Sequence, residues 1–497
     1  MTDTNTASNV TSATQRSGNP TKNVSSLPAT LLLRQSGDSL VAQIVRLVQT
    51  KIDDKLLRGG ARMPSIRQFA ETHKVSRFTV VEAYDRLVAQ GLLESRRGSG
   101  FYVREQLSAL TRQQSPRSGE TPALDVVWLI RNMLRQLPPQ KAPGSGLLPP
   151  DWLDGSLVAN ALRAISRQSS NSLINYGSPQ GFFPLRQQLQ LKLAELEIAA
   201  TPEQIITTAG VTQALDLVAR HFLQPGDTVF VDDPAWYLMF GSFATLGANV
   251  VGIPRLADGP DIAVLTQLAA LHRPKLYVLN SVLHNPTSTS LSAAKAFQIL
   301  RLAEQYDFTV VEDDICCDMH PGSTTQPATR IAALDQLRRV IYLGGFSKTL
   351  TANLRVGFIA CSHELALQLT DRKILSMLAS SEIGERVVYK ILSEGHYRKH
   401  TERLRSKLDA MRDKTARHLE QIGLKTDILT PAGMFIWVDT GCDTNLLAEK
   451  AIAEGYLLAP GSLFSPHQLP SSRMRVNIAA MSDSEVWRFL ADAISHT

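Results

Sequence analysis

No apolar run in this chain of 497 residues approaches the eighteen or so that a membrane-spanning helix needs. The Ser/Thr/Asn-rich N-terminus also lacks the apolar centre of a secretory signal. Cysteine is scarce: Cys316 and Cys317 are adjacent, Cys361 and Cys442 stand alone, and none has metal-ligand spacing. A disulfide scaffold and a cysteine metal site are therefore not expected, and a cytoplasmic protein without a membrane partner is. No internal repeat is evident. What is present is ordinary for a folded chain, 43% hydrophobic and 20% charged. The length asks for two or three domains.

The net charge of +6 is local rather than spread. Residues 39–104 hold 12 Lys/Arg against 6 Asp/Glu, which accounts for the whole excess. A basic module on a neutral body points to a polyanion as that module's partner. Before it, residues 1–26 contain 15 Ser, Thr and Asn, the composition of a disordered tail, and we draw that tail to residue 38.

Within the basic module, Leu40, Ile44, Val45, Val48 and Ile52 recur at helical spacing, and Gly59-Gly60 ends the helix. Met63-Pro64-Ser65 opens a second helix, and Ser76 is a good N-cap for a third that stops at Gly91. Two short apolar segments then flank Arg96-Arg97-Gly98-Ser99-Gly100, a hairpin with a basic tip. Three helices and such a hairpin make a winged helix-turn-helix, whose third helix enters the major groove of double-stranded DNA. Ser76, Arg77 and Thr79 would be presented there, Arg67 from the second helix, and Arg96, Arg97 and Gly98 from the wing. Pro64-Ser65-x-Arg67, Val75-Ser76-Arg77-x-Thr79-Val80, Ala83-Tyr84-x-x-Leu87 and Gly98-Ser99-Gly100 resemble, in order and spacing, the GntR family of bacterial regulators. A polar, aperiodic linker at 105–123 follows.

From residue 124 to 497 strands alternate with helices, the pattern of a parallel sheet with crossovers. Thr228–Val231, Leu276–Leu279, Thr309–Val311 and Val340–Leu343 read as buried strands, and sites in such sheets lie at the C-terminal strand ends. The last of these runs into Gly344-Gly345-Phe346-Ser347-Lys348-Thr349, with Arg355 seven residues beyond the lysine. Desolvation there would depress the pKa of Lys348, and a neutral amine is what Schiff-base chemistry needs. Arg355 offers a two-pronged grip on phosphate. Gly210-Val211-Thr212, opening a helix, is a second phosphate-binding feature.

These segments resemble fold-type I aminotransferases, and the resemblance implies pyridoxal 5'-phosphate (PLP) as cofactor, held by Lys348 as an aldimine. It further implies Trp236 (or Tyr237) stacked on the ring after Asp232-Asp233-Pro234, and Asn285 of Asn285-Pro286-Thr287 on the ring hydroxyl. Asp313, by register, would pair with the pyridine nitrogen, Asp314 being the second choice. Tyr176 of Asn175-Tyr176-Gly177 would reach a partner's cofactor phosphate, implying a homodimer. Arg475 would grip an effector carboxylate, with Arg473 its confusable neighbour. Two positions depart from the family: Ile315 and Cys316 stand where a tyrosine is usual, and Gly345 replaces a serine or threonine. The expected fold is thus multidomain, an N-terminal winged helix-turn-helix plus an α/β fold-type I aminotransferase-like domain. That fusion resembles the MocR subfamily of PLP-dependent transcriptional regulators. It implies a DNA-binding regulator that senses an amino acid, an amine or PLP itself. The alternative is an active aminotransferase with a DNA-binding tether. No metal is expected.

Overall fold

The computed structural model describes residues 38–54, 56–104, 131, 137–167, 174–322, 328–426, 430–482 and 484–495. The proposed tail, apart from Asp38, and the proposed linker lie outside the described residues. The chain divides into two compact units, Met1–Thr121 and Pro122–Thr497.

In the first unit, α1 (Leu40–Asp53), α2 (Ile66–His73) and α3 (Arg77–Ala89) precede the hairpin β1 (Leu93–Arg96) and β2 (Gly100–Val103). Each helix starts where a serine can satisfy the unpaired amides of the first turn. Ser39 accepts from Ala42, Ser65 from Gln68 in a reciprocal capping box, and Ser76 from Thr79. Ile44, Val48, Phe69, Val80, Tyr84, Leu87 and Leu93 share one core. Tyr84 locks α3 against α2, its hydroxyl donating to Pro64 O at 3.1 Å while its ring meets Phe69 and Phe101. The hairpin is antiparallel, Arg96 opposite Gly100, and Gly98 turns its tip with φ 72°, a left-handed value glycine adopts at little cost.

The second unit is built on an eight-stranded sheet in the order β3-β10-β9-β8-β7-β4-β5-β6. Its strands are β3 (Ile205–Thr208), β4 (Thr228–Asp233), β5 (Asn249–Leu256), β6 (Gly259–Pro260), β7 (Leu276–Leu279), β8 (Thr309–Asp313), β9 (Val340–Gly345) and β10 (Gly357–Ala360). The pairs β9-β8, β8-β7, β7-β4 and β4-β5 are parallel, and β10 runs antiparallel to both its neighbours. The four strands expected from sequence are therefore adjacent. Side chains alternate between two cores, as the two-residue strand period requires. Phe230, Tyr277, Val310 and Tyr342 enter one core; Val231, Val278, Val311 and Leu343 enter the other.

A second sheet of four strands has the order β11-β12-β14-β13, with β11 (Lys425–Thr426), β12 (Phe435–Asp439), β13 (Ala459–Pro460) and β14 (Arg473–Asn477). With helices His396–Gln421, Thr444–Ala453 and Ser484–Ser495 it forms a third core, including Leu404, Leu408, Leu447 and Val476. Ile315 packs against both this core and that of Val231 and Leu343. Among the described residues, no helix is long and apolar enough to cross a membrane.

Candidate functional site

The C-terminal ends of the parallel strands bring most of the expected residues together. Strand β9 continues to Gly345 and turns at once, so Lys348 emerges just past the C-terminal end of this central strand, its amine donating to Gly146 O at 2.8 Å. Burial lowers the pKa of that amine; Arg475 and Arg355 lower it further, while Cys316 and Asp313 oppose them.

Strand alternation separates the acidic run. Asp313 shares the face of Val311, whereas Glu312 is turned to the opposite core and accepts the amides of Ile331 and Ala332, both at 2.8 Å. Asp314 is committed to Arg330 at 2.6 Å and to the Tyr342 hydroxyl at 2.9 Å. Asp313 alone of the three faces Lys348 electrostatically, and burial pushes its carboxyl up to about 6.

Arg475 is 2% exposed on β14. Its Nη1 donates to Asn285 Oδ1 at 2.9 Å and its Nη2 to Gly144 O at 2.7 Å. Its Nε is buried with no hydrogen-bond partner among the described residues. The rings of Phe435 and Phe464 lie 4.4 and 4.9 Å from the guanidinium carbon, and burial lowers the pKa of the group. A desolvated cation with an unused donor is costly unless an anion completes it. Arg473 lies elsewhere, lining a cavity of about 500 Å³ with Asp233, Arg255, Trp437 and Ser465. Tyr237 is buried between Arg475 and Phe464, and Trp236 is half-buried.

The segments expected to bind phosphate also converge. Gly210 precedes the helix Val211–Phe222 with φ 85°. A Cβ there would fall 2.6 Å from Arg355 Nη2, so only glycine admits the guanidinium so close. Arg355 donates to Ala209 O at 2.9 Å and itself holds a left-handed φ of 51°, a conformation that costs a non-glycine residue about 1–2 kcal/mol. Thr212 is exposed on the first helical turn, and Val211 is buried behind it. Tyr176 is not gathered in; it is 85% exposed.

Three features escaped the sequence reading. The segment 143–147 supplies the carbonyls of Gly144 and Gly146 to Arg475 and Lys348, and Asn477 Nδ2 fixes it through Ser145 O and Leu147 O. Its only sequence signal was Gly-Ser-Gly amid prolines. Asn280 ties two strand ends together, donating to Asp313 O at 2.6 Å and accepting from Asn285 N at 3.4 Å. Finally, a Cβ at Gly345 would lie 2.9 Å from Ile315 Cδ1, so the two departures noted in the sequence are sterically linked.

In the first unit, Ser76 Oγ and Thr79 Oγ1 are 2.7 Å apart and occupied with the α3 cap. Arg67 pairs with Glu71 at 2.9 Å, and Arg96 pairs with Glu94 while stacking over Tyr102 at 4.4 Å. Exposed pairs like these are worth about 1 kcal/mol or less, so both arginines can exchange carboxylate for phosphate. Arg77, Arg97 and Gly98 are exposed.

Residues 145–493 match "Aminotransferase class I and II", and residues 40–103 match "Bacterial regulatory proteins, gntR family". The chain belongs to the class I and II aminotransferase family, fused to a GntR-type helix-turn-helix domain. The uncharacterized HTH-type transcriptional regulator YdfD of Bacillus subtilis is 27% identical over 89% of this chain and 93% of its own. The probable rhizopine catabolism regulatory protein MocR of Rhizobium meliloti is 29% identical, over 70% of this chain and 71% of its own. Among solved structures, the kynurenine aminotransferase of Pyrococcus horikoshii, in complex with PMP, superposes with a TM-score of 0.68 at 28% identity. It covers 78% of this chain and 98% of that one. Homologues of this fold depend on pyridoxal phosphate.

Proposed function

We propose that the chain is a DNA-binding transcriptional regulator of the MocR type, in which the aminotransferase-like domain holds pyridoxal phosphate and senses an amino acid. The observation that carries this reading is the buried Arg475 guanidinium, with its unused Nε, in electrostatic reach of Lys348. Such a pair addresses the two ends of an α-amino acid, carboxylate and amine.

Bound there, pyridoxal phosphate supplies an aldehyde that captures primary amines and an electron-withdrawing ring. The donor set suits it. The amides of the Val211 helix and Arg355 would hold the phosphate, and Lys348 would be the covalent anchor. Asp313, whose burial resists ionisation, would ionise against a protonated ring nitrogen; Asn285 would meet the ring oxygen and Trp236 its face. Tyr176, exposed in one chain, fits a residue offered to a second copy in a homodimer. As the covalent anchor, Lys348 would give up the Gly146 carbonyl that its free amine now holds, and Arg475 would draw the effector carboxylate against β14. Ile315, packed against two cores, then connects site and sheet movement. Arg77, Arg67, Arg96 and Arg97 would read and grip the operator. The domain limits that this reading uses are 39–104 for the reader and 124–497 for the sensor. A DNA reader with four unpaired cysteines fits the cytoplasm.

An active aminotransferase tethered to DNA is favoured by the retained Lys348, Asp313 and Arg475; Ile315, which offers no hydroxyl, weighs against it. The test is fluorescence anisotropy of the full-length, cofactor-loaded protein on duplexes selected from a random pool. Arg77→Ala should lose at least tenfold in selective affinity, about what one bidentate base contact contributes, with an unchanged cofactor spectrum. Unaltered selectivity would remove α3 as the reading helix.

A further inference from the structure

Phe78 is 77% exposed in the first turn of α3, between Arg77 and Thr79. Val81, one turn further along, is also exposed. Their outward direction is fixed from behind, because Val80, Ala83, Tyr84 and Leu87 are buried and the Tyr84 hydroxyl is bonded to Pro64 O. The polar neighbours on that turn are partly engaged: Ser76 and Thr79 bond each other and the α3 cap, which leaves one hydroxyl hydrogen for a further partner. Further along α3, Glu82 is paired with Arg86 and Asp85 is exposed, so negative charge marks the half of the helix that a polyanion avoids. Beside those hydroxyls, the turn that approaches a duplex offers one cation, Arg77, and one large, fully presented apolar side chain, Phe78.

Resting on the reading of α3 as a DNA-recognition helix, we propose that Phe78 is a specificity-determining residue that covers thymine 5-methyl groups in the major groove. The chemistry is selective. The thymine methyl is the apolar feature of that groove, every other base edge presenting hydrogen-bonding groups that an aromatic ring would desolvate without compensation. An exposed aromatic there adds affinity only where a methyl lies beneath it, and costs affinity over cytosine. Arg77 beside it favours guanine, so each half-site is expected to place thymine next to the base pair that Arg77 contacts.

The experiment uses the full-length protein, selection from a random duplex pool, and then two chemical edits of the selected duplex. Deoxyuridine in place of the invariant thymidine removes only the methyl group. Wild type should bind the uracil duplex about fourfold more weakly for each methyl covered. Phe78→Ala should bind thymine and uracil duplexes equally and, on reselection, lose its preference at that position alone. 5-Methylcytosine at the same position should recover part of the wild-type affinity. Equal wild-type affinity for thymine and uracil duplexes would overturn the proposal. So would a Phe78→Ala protein that keeps its thymine preference and changes only its mass in light scattering, which would make Phe78 a contact between copies. If wild type selects no duplex at all, the DNA-recognition reading fails and this inference falls with it. Retained selection with no methyl dependence refutes the inference alone.

Discussion

Asp313→Asn should stabilise the cofactor-free protein and weaken its hold on the cofactor. The carboxyl is buried at the end of β8, and burial lifts it from an ordinary 3.8 to about 6. A carboxyl whose folded-state pKa is raised favours folding while protonated. Its contribution is fully present below the unfolded value near 3.8 and is lost as pH rises through about 6. At 1.36 kcal/mol per pH unit, forcing it to ionise costs the folded state about 3 kcal/mol at pH 8. Asparagine keeps the shape without the charge. The variant should therefore gain up to about 3 kcal/mol over wild type at pH 8, less at pH 5, and nothing near pH 3.5. Urea denaturation of cofactor-stripped protein across this pH range measures it. Adding pyridoxal phosphate should reverse the order at pH 8, since only the carboxylate pairs with a protonated ring. A variant no more stable than wild type at pH 8, or one gaining equally at every pH, would show that burial does not hold Asp313 against ionisation.

Three further outcomes follow from the site. Arg475→Met should weaken amino acid binding by about 10²-fold, roughly the 3 kcal/mol of two charge-assisted hydrogen bonds, and leave the decarboxylated amine unaffected. Calorimetry with matched amino acid and amine pairs would show it; equal losses would mean that Arg475 does not meet the carboxylate, as a sensor of pyridoxal phosphate alone would also require. Gly345→Ser should destabilise the fold by about 1–3 kcal/mol, because its Cβ lies 2.9 Å from Ile315 Cδ1, and Ile315→Val, which lacks that atom, should restore most of it in a double-mutant cycle. Lys348→Ala should lose the borohydride-trapped cofactor without loss of thermal stability in the cofactor-free protein; a trapped adduct on another lysine would displace Lys348 from the centre of the site.

The sequence was most legible where local physics decides. Ser65 and Ser76 marked helix starts because capping is a contact between near neighbours, and the apolar runs of β4, β7, β8 and β9 announced themselves because both faces of those strands are buried. Their ends were less clear: β4 runs on to Asp233 and β9 to Gly345, since residues facing a site need not be apolar to be in a strand. Register put Asp313, not Asp314, on the Val311 face, but the Arg330 partner of Asp314 lies sixteen residues on and left no local trace. Contacts between residues far apart in the chain were invisible. Nothing in the chain says that Gly144 and Gly146 meet Arg475 and Lys348, or that Ile315 crowds Gly345. Phe78 was passed over because an aromatic in a helix is ordinarily core, and only its exposure marks it.

Lys348 and Arg475 are proposed to form an amino acid sensor rather than a turnover site. The most direct measurement is the visible absorption of the cofactor-loaded protein during titration with a panel of amino acids, with keto acid assayed in the same samples. At least one amino acid should produce a saturable, lasting spectral change without keto acid, and Arg475→Met should abolish it. Steady keto acid release, with conversion of the cofactor to its amino form, would instead make the chain an enzyme and the sensor reading wrong.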